Sequence, residues 1–84
     1  MKPKSTPQGR AFLSWLRDSR KSAGMTMRDV ANILKVPHSW VGKVEVGDRR
    51  LDLLEFTKLC RAIGANSHEG LKILESGAKG KSKR

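Results

Sequence analysis

His38, Ser39 and Lys43 fall within the run H-S-W-V-G-K at 38–43. If that run is helical, His38 and Ser39 lie at the exposed start of a short rod and Lys43 one turn beyond Ser39. An imidazole, a hydroxyl and an ammonium in that arrangement donate and accept hydrogen bonds, but they need partners to do covalent work. The chain supplies none: His38 and His68 are far apart, and no nucleophile motif accompanies either. It has no glycine-rich phosphate loop and no metal-ligand spacing. Cys60 is the single cysteine, which excludes an internal disulfide and a cysteine-rich zinc site. Its inward helical position argues against a reactive thiol. The expected chemistry is recognition rather than catalysis, with no cofactor and no metal.

The charge says what would be recognised. The 84 residues carry 18 Lys and Arg against 8 Asp and Glu, a net charge of +10. Seven of those basic residues lie in residues 1–10 and 79–84, leaving 11 basic against 8 acidic, or +3, for residues 11–78. A polyanion is the expected partner: DNA first, RNA second, an anionic membrane surface a poor third. No apolar run approaches a membrane span and no signal-peptide stretch opens the chain, so a cytoplasmic, nucleoid-associated protein is expected. A chain this short buries only about 60–65% of its unfolded surface, enough for one modest core.

The elements that must position these residues are legible as five short helices with no strand pattern. Thr6-Pro7 reads as an N-cap and first-turn proline, and Phe12, Leu16, Ser19 and Ala23 follow at helical spacing up to Gly24, flanked by Leu13 and Trp15. Trp15 is assigned to the core or to a contact with a second copy. Thr26 caps a second helix with Asp29 three residues on, Met25 stapling against Val30, and Val30, Ala31 and Leu34 inward. Lys35-Val36-Pro37 is the turn. The third helix runs from Pro37 or His38 to Val46, with Val41 and Val44 inward and His38, Ser39, Gly42, Lys43 and Val46 outward. Asp52 and Glu55 form a capping box, with Leu51 stapled to Phe56, and Phe56, Leu59, Cys60 and Ile63 line one face up to Gly64. Asn66 and Glu69 open a fifth helix that Gly77 ends. The expected organisation is a flexible basic arm at 1–6, a domain at 7–77 and a disordered basic tail at 78–84.

The run from about Leu16 to Leu74 resembles the helix-turn-helix family of phage repressor and Cro proteins, the XRE family. The matching features are Leu16 and Arg20 before Gly24, Thr26 before D-V-A and Val36 after the turn. After these come S-x-V-x-K-V-E-x-G at 39–47, R-R-L-D-x-x-E-F at 49–56 and A-I-G at 62–64. The resemblance implies an all-α, compact five-helix, lambda-repressor-like domain whose helices two and three form the DNA-binding unit. It also implies a transcription regulator, commonly dimeric, and a salt bridge between Arg20 and Glu45 whose role is architectural. Two positions depart from the pattern: Met27 stands where a glutamine is usual, and Lys35 where a glycine is usual.

Combined with the residue chemistry, this gives a set of expected contacts. His38, Ser39 and Lys43 would read base edges in the major groove, with Gly42 allowing close approach. Trp40 has two readings: a ring packed against helix two, or an edge on a thymine methyl or deoxyribose. Thr26, Met27 and Arg28 would present open amides and charge to phosphate, with Arg49 and Arg50 on the other flank. Leu71, Ile73 and Leu74 exceed the apolar content one face of a short helix needs, so they are the expected homodimer surface. The leading expectation is a sequence-specific regulator of double-stranded DNA, more often a repressor, on a two-fold operator. An antitoxin-like subunit that grips a protein partner such as a toxin is the alternative, and a nonspecific RNA or nucleoid binder is a third.

Overall fold

In the computed structural model, which describes residues 3–78, the chain forms five α-helices in sequence: α1 (Pro7–Ser22), α2 (Met27–Leu34), α3 (His38–Glu45), α4 (Leu53–Ile63) and α5 (Ser67–Ala78). The start of each is set locally. Thr6 Oγ1 accepts from the Gly9 amide, and Pro7 needs no partner for the amide it lacks. Asp29 and Glu55 complete capping boxes with Thr26 and Asp52 at the starts of α2 and α4. Asn66 Oδ1 accepts from the His68 amide before α5. Helix α3 has no side-chain cap; Pro37 simply sets the extended backbone from which it begins.

The core gathers one stripe from each of the first four helices: Phe12, Leu13 and Leu16; Val30 and Ala31; Val41 and Val44; Phe56, Leu59, Cys60 and Ile63. Phe12 joins two layers, with ring centroids 5.8 Å from Trp15 and 5.5 Å from Phe56. Trp15 is half-buried and lies over Gly70, so close that a Cβ there would sit 2.7 Å from its ring. This contact draws α5 against α1. Helix α3 packs on α2 and α1, and α2 also packs on α4. Ala23 is exposed rather than inward, because α1 ends at Ser22 and the chain turns away.

One local feature departs from the expectation. Residues 3–5 are not an arm: Pro3–Ser5 form a 3-10 turn laid on α1 and on the loop after α3. Two glycines make its seat. A Cβ on Gly9 would stand 1.8 Å from the Pro3 carbonyl oxygen. One on Gly47, at φ 84°, would stand 2.8 Å from both Lys4 Cβ and Leu13 Cδ1. Of the expected 78–84 tail, Ala78 is the last residue of α5, and 79–84 lie outside the described residues. At the α2–α3 turn Lys35 adopts the left-handed conformation, φ 59°, where the family pattern has glycine. The turn is made by a lysine in a conformation that L-residues rarely hold.

The α2 cap carries a pH dependence with a defined sign. The Asp29 carboxyl is held below its usual value by the Thr26 backbone amide and then by the Thr26 hydroxyl. Its contribution is therefore complete above about pH 4 and is lost as pH falls through the lowered value. Asp29→Asn is expected to lower Tm at neutral pH and to narrow the gap to the parent protein on acidification. Thermal melts followed by circular dichroism from pH 7 to pH 2.5 check this.

Candidate nucleic-acid interface

At 100° per residue, Ser39, Lys43 and Val46 lie opposite Val41 and Val44 on α3. Burying the two valines, which are 2% and 1% exposed, forces the opposite stripe outward. Ser39 and Lys43 are exposed, as is His38 at the helix start, and Val46 is 57% exposed. The polar face of α3 is thus left uncovered by the rest of the described molecule.

The opposite side is fastened by one ion pair. Arg20 on α1 donates from Nε to Glu45 Oε2 at 2.6 Å and from Nη2 to Glu45 Oε1 at 3.1 Å. Its Nη1 donates to the Met25 carbonyl at 2.9 Å. The side chains are only 9% and 7% exposed. Three segments meet at this guanidinium: the last turn of α1, the link between α1 and α2, and the last turn of α3. The hydrogen bond to Glu45, more than its bare charge, holds Arg20 in the charged form above its ordinary value.

The remaining candidates sort by whether their polar groups are already used. At the start of α2, the Thr26 amide donates to Asp29 Oδ2 at 2.9 Å, and Thr26 Oγ1 accepts from the Asp29 amide at 3.0 Å. The expected set of open amides is therefore shorter: Thr26 is committed to its own cap, and Met27 and Arg28 are left. The Met27 side chain is partly buried against the core, and its Sδ is 3.8 Å from where a Cβ of Gly42 would sit. Gly42 consequently lies at the α2–α3 seam rather than on the outer face, because its position is a flank of the helix and α2 covers that flank.

Trp40 occupies the other flank. It is half-buried and packs on the core beside a small cavity lined by Leu16, Leu59 and Ile63, so α1 and α4 contribute neighbours to it. Arg49 caps the ring at 5.4 Å from its centroid, and Arg49 Nη2 donates to Glu55 Oε2 at 2.8 Å. Arg49 therefore ties the loop to the start of α4. Arg28, Lys43 and Arg50 are exposed and make no side-chain hydrogen bond or ion pair among the described residues. Lys43 and Arg50 line one open groove with Asp48, Arg49 and Asp52.

On the far side, Ile73 and Leu74 are half-buried against the molecule's own core, and Leu71 is 37% exposed. The most exposed leucines lie outside the expected homodimer surface: Leu53 at 76% and Leu54 at 65%, in the first turn of α4. Leu53 borders an apolar groove shared with Phe12, Leu51, Phe56, Leu71 and Leu74. The Cys60 thiol is buried and pushed up to about 11 by desolvation, far from a thiolate at neutral pH. Among the described residues no group of acidic, histidine and cysteine side chains could hold a metal, and no helix is long and apolar enough to cross a membrane.

The buried ion pair generates a sharp expectation. Removing one partner leaves a desolvated charge, so Arg20→Met or Glu45→Leu alone should cost about 3–5 kcal/mol, while the double substitution should recover most of it. Urea denaturation of the three variants measures this. Single variants within about 1 kcal/mol of the parent would show the pair to be dispensable.

A helix-turn-helix domain family model matches residues 11–71, most of the chain. Among solved structures, an XRE-family like protein from Pseudomonas syringae pv. tomato str. DC3000 is similar at 40% identity and TM-score 0.73. The match covers 80% of this chain and 82% of that one. A search of curated proteins gives no match. With the five-helix arrangement and the α2-turn-α3 unit described above, these place the chain in the XRE-type helix-turn-helix family of DNA-binding regulators.

Proposed function

We propose that the protein is a sequence-specific transcriptional regulator, acting as a repressor, that binds a two-fold operator as a homodimer with α3 of each copy in a major groove. The single observation that carries this reading is the uncovered stripe of His38, Ser39 and Lys43 on a helix whose opposite face is anchored by Val41, Val44 and the Arg20–Glu45 pair. Ser39 and Lys43 read base edges, the lysine as a donor to guanine O6 or N7, and His38 adds a donor or acceptor at the helix start. Gly42 and Trp40 border that stripe; Gly42 keeps the α2–α3 seam thin, and the half-buried Trp40 stands at the edge between core and groove. The Met27 and Arg28 amides, the Thr26 hydroxyl and the Arg28 and Arg50 side chains hold phosphates on the two flanks, with Arg49 shaping the loop between.

The test is Ser39→Ala with Lys43→Ala. Each lost base contact is worth about 1–3 kcal/mol, so affinity for a selected operator should fall about tenfold or more while weak nonspecific binding persists. Gel-shift titrations on the selected site and on a scrambled duplex read the difference. An unchanged affinity and sequence preference would remove α3 as the reading element.

The exposed leucines support the homodimer. Leu53 stands beside the groove formed with Leu71 and Leu74, and a knob next to a groove on one face is self-complementary under a two-fold axis. The second copy would seat its Leu53 in the first copy's groove and set half-sites about 34 Å apart, or a multiple of that. Leu53→Glu is then expected to yield monomers by sedimentation and to weaken operator binding about tenfold or more, because linking two half-sites is what multiplies affinity. A parent protein that is monomeric on DNA as in solution would instead favour the alternative, in which the same leucines meet a different protein, as in an antitoxin-like subunit.

A further inference from the structure

We infer that Val46 is a specificity-determining residue, placed to meet the C5 methyl of a thymine in the half-site; this rests on the DNA-binding reading above. Val46 closes the outward stripe of α3, two turns beyond Ser39, and is 57% exposed. The residues before it on that stripe, Ser39 and Lys43, are polar. Val46 belongs neither to the buried core nor to the partly buried side chains packed against it. A lone exposed valine is commonplace; its place on the reading face gives this one meaning. In the major groove, base edges present hydrogen-bond donors and acceptors, and the thymine methyl is the apolar group among them. An isopropyl side chain makes no hydrogen bond, so on the floor of the groove that methyl is its favourable partner.

The backbone holds Val46 in position. Its amide donates to the Gly42 carbonyl at 3.1 Å. Beyond it, the Gly47 amide donates to the Val44 carbonyl at 3.1 Å and the Asp48 amide to the Lys43 carbonyl at 2.9 Å, with Gly47 at φ 84°. These paired bonds close the end of α3 and fix Val46 between Lys43 and the loop at 48–50. A β-branched side chain is stiff at χ1, so a contact made from this fixed backbone orders little that was free. With α3 laid along the groove, two turns of helix span about 10 Å, or about three base-pair steps. The thymine therefore stands about three pairs from the base that Ser39 reads, toward the phosphates assigned to Arg50. Trp40, half-buried on the flank of the helix, is less well placed to reach it.

The test uses the full chain and the operator it selects from random duplexes, remade with deoxyuridine in place of each thymine in turn. That change removes one methyl and keeps every hydrogen-bonding group of the base. With the parent protein, one thymine should show a loss of about fourfold per half-site, the worth of one buried methyl. Val46→Ala should bind the thymine operator about as weakly as the parent binds the uracil form, and uracil should then cost it less than about twofold. Thermal melts serve as the folding control, and Val46→Ala should melt with the parent because the side chain lies off the core. A selected operator in which no thymine responds to uracil overturns the inference, since Val46 then meets at most the deoxyribose wall. A responsive thymine whose loss is unchanged in Val46→Ala also overturns it, because another side chain reads that methyl. A parent protein that selects no sequence overturns the proposed function and this inference with it, a result distinct from a selected operator that ignores the methyl.

Discussion

The fork of hydrogen bonds from Arg20 to Glu45 and the Met25 carbonyl is the constraint on which the orientation of α3 depends. A helix of eight residues with two buried valines and no side-chain cap has little of its own to fix its rotation. The ion pair supplies that fix, because a planar guanidinium meets a carboxylate in one geometry and tolerates little rotation. Its net contribution to stability is small, since two charges leave water, yet losing either partner is costly. A domain of marginal total stability can use such a pair to choose one arrangement among several of similar packing. The choice made here turns Ser39 and Lys43 outward.

The cations then divide into two groups with different work. Arg20, Arg49 and Lys4 are committed within the molecule, to Glu45, to Glu55 with the Trp40 ring, and to Asp48. Arg28, Lys43 and Arg50 are not, among the described residues, and all three are exposed, Lys43 on the polar face of α3 itself. The committed arginines and lysine set the shape of the loop and helix that display the others. A count of 18 Lys and Arg therefore overstates how many cations are available at the surface, and their arrangement carries more meaning than their number.

What the sequence made legible was whatever is decided by neighbours along the chain. The capping boxes of Thr26 with Asp29 and Asp52 with Glu55, the inward valines of α3 and the apolar stripe of α4 all follow from spacing of one to four residues, and each has its counterpart in the structure. The features that escaped are decided by elements distant in sequence. Arg49 and Arg50 are equivalent on paper, and only the approach of Trp40 and Glu55 separates them. Gly42 sits outward on a helical wheel, but α2 covers that flank through Met27. The N-terminal turn depends on Gly9 and Gly47 meeting residues 3 and 4, and nothing in the periodicity of either segment announces that contact. Leu53 and Leu54 hid inside a capping signature that drew attention to Asp52 and Glu55.

Amide chemical shifts of the full chain, followed by heteronuclear NMR as a selected operator duplex is added, examine the central claim most directly. The account predicts the largest changes at residues 38–43, with a second set at 27–28 and 48–50, while the buried face of α4 at Leu59 and Ile63 stays nearly still. Changes confined to α4 and α5, with the exposed stripe of α3 unmoved, would contradict it.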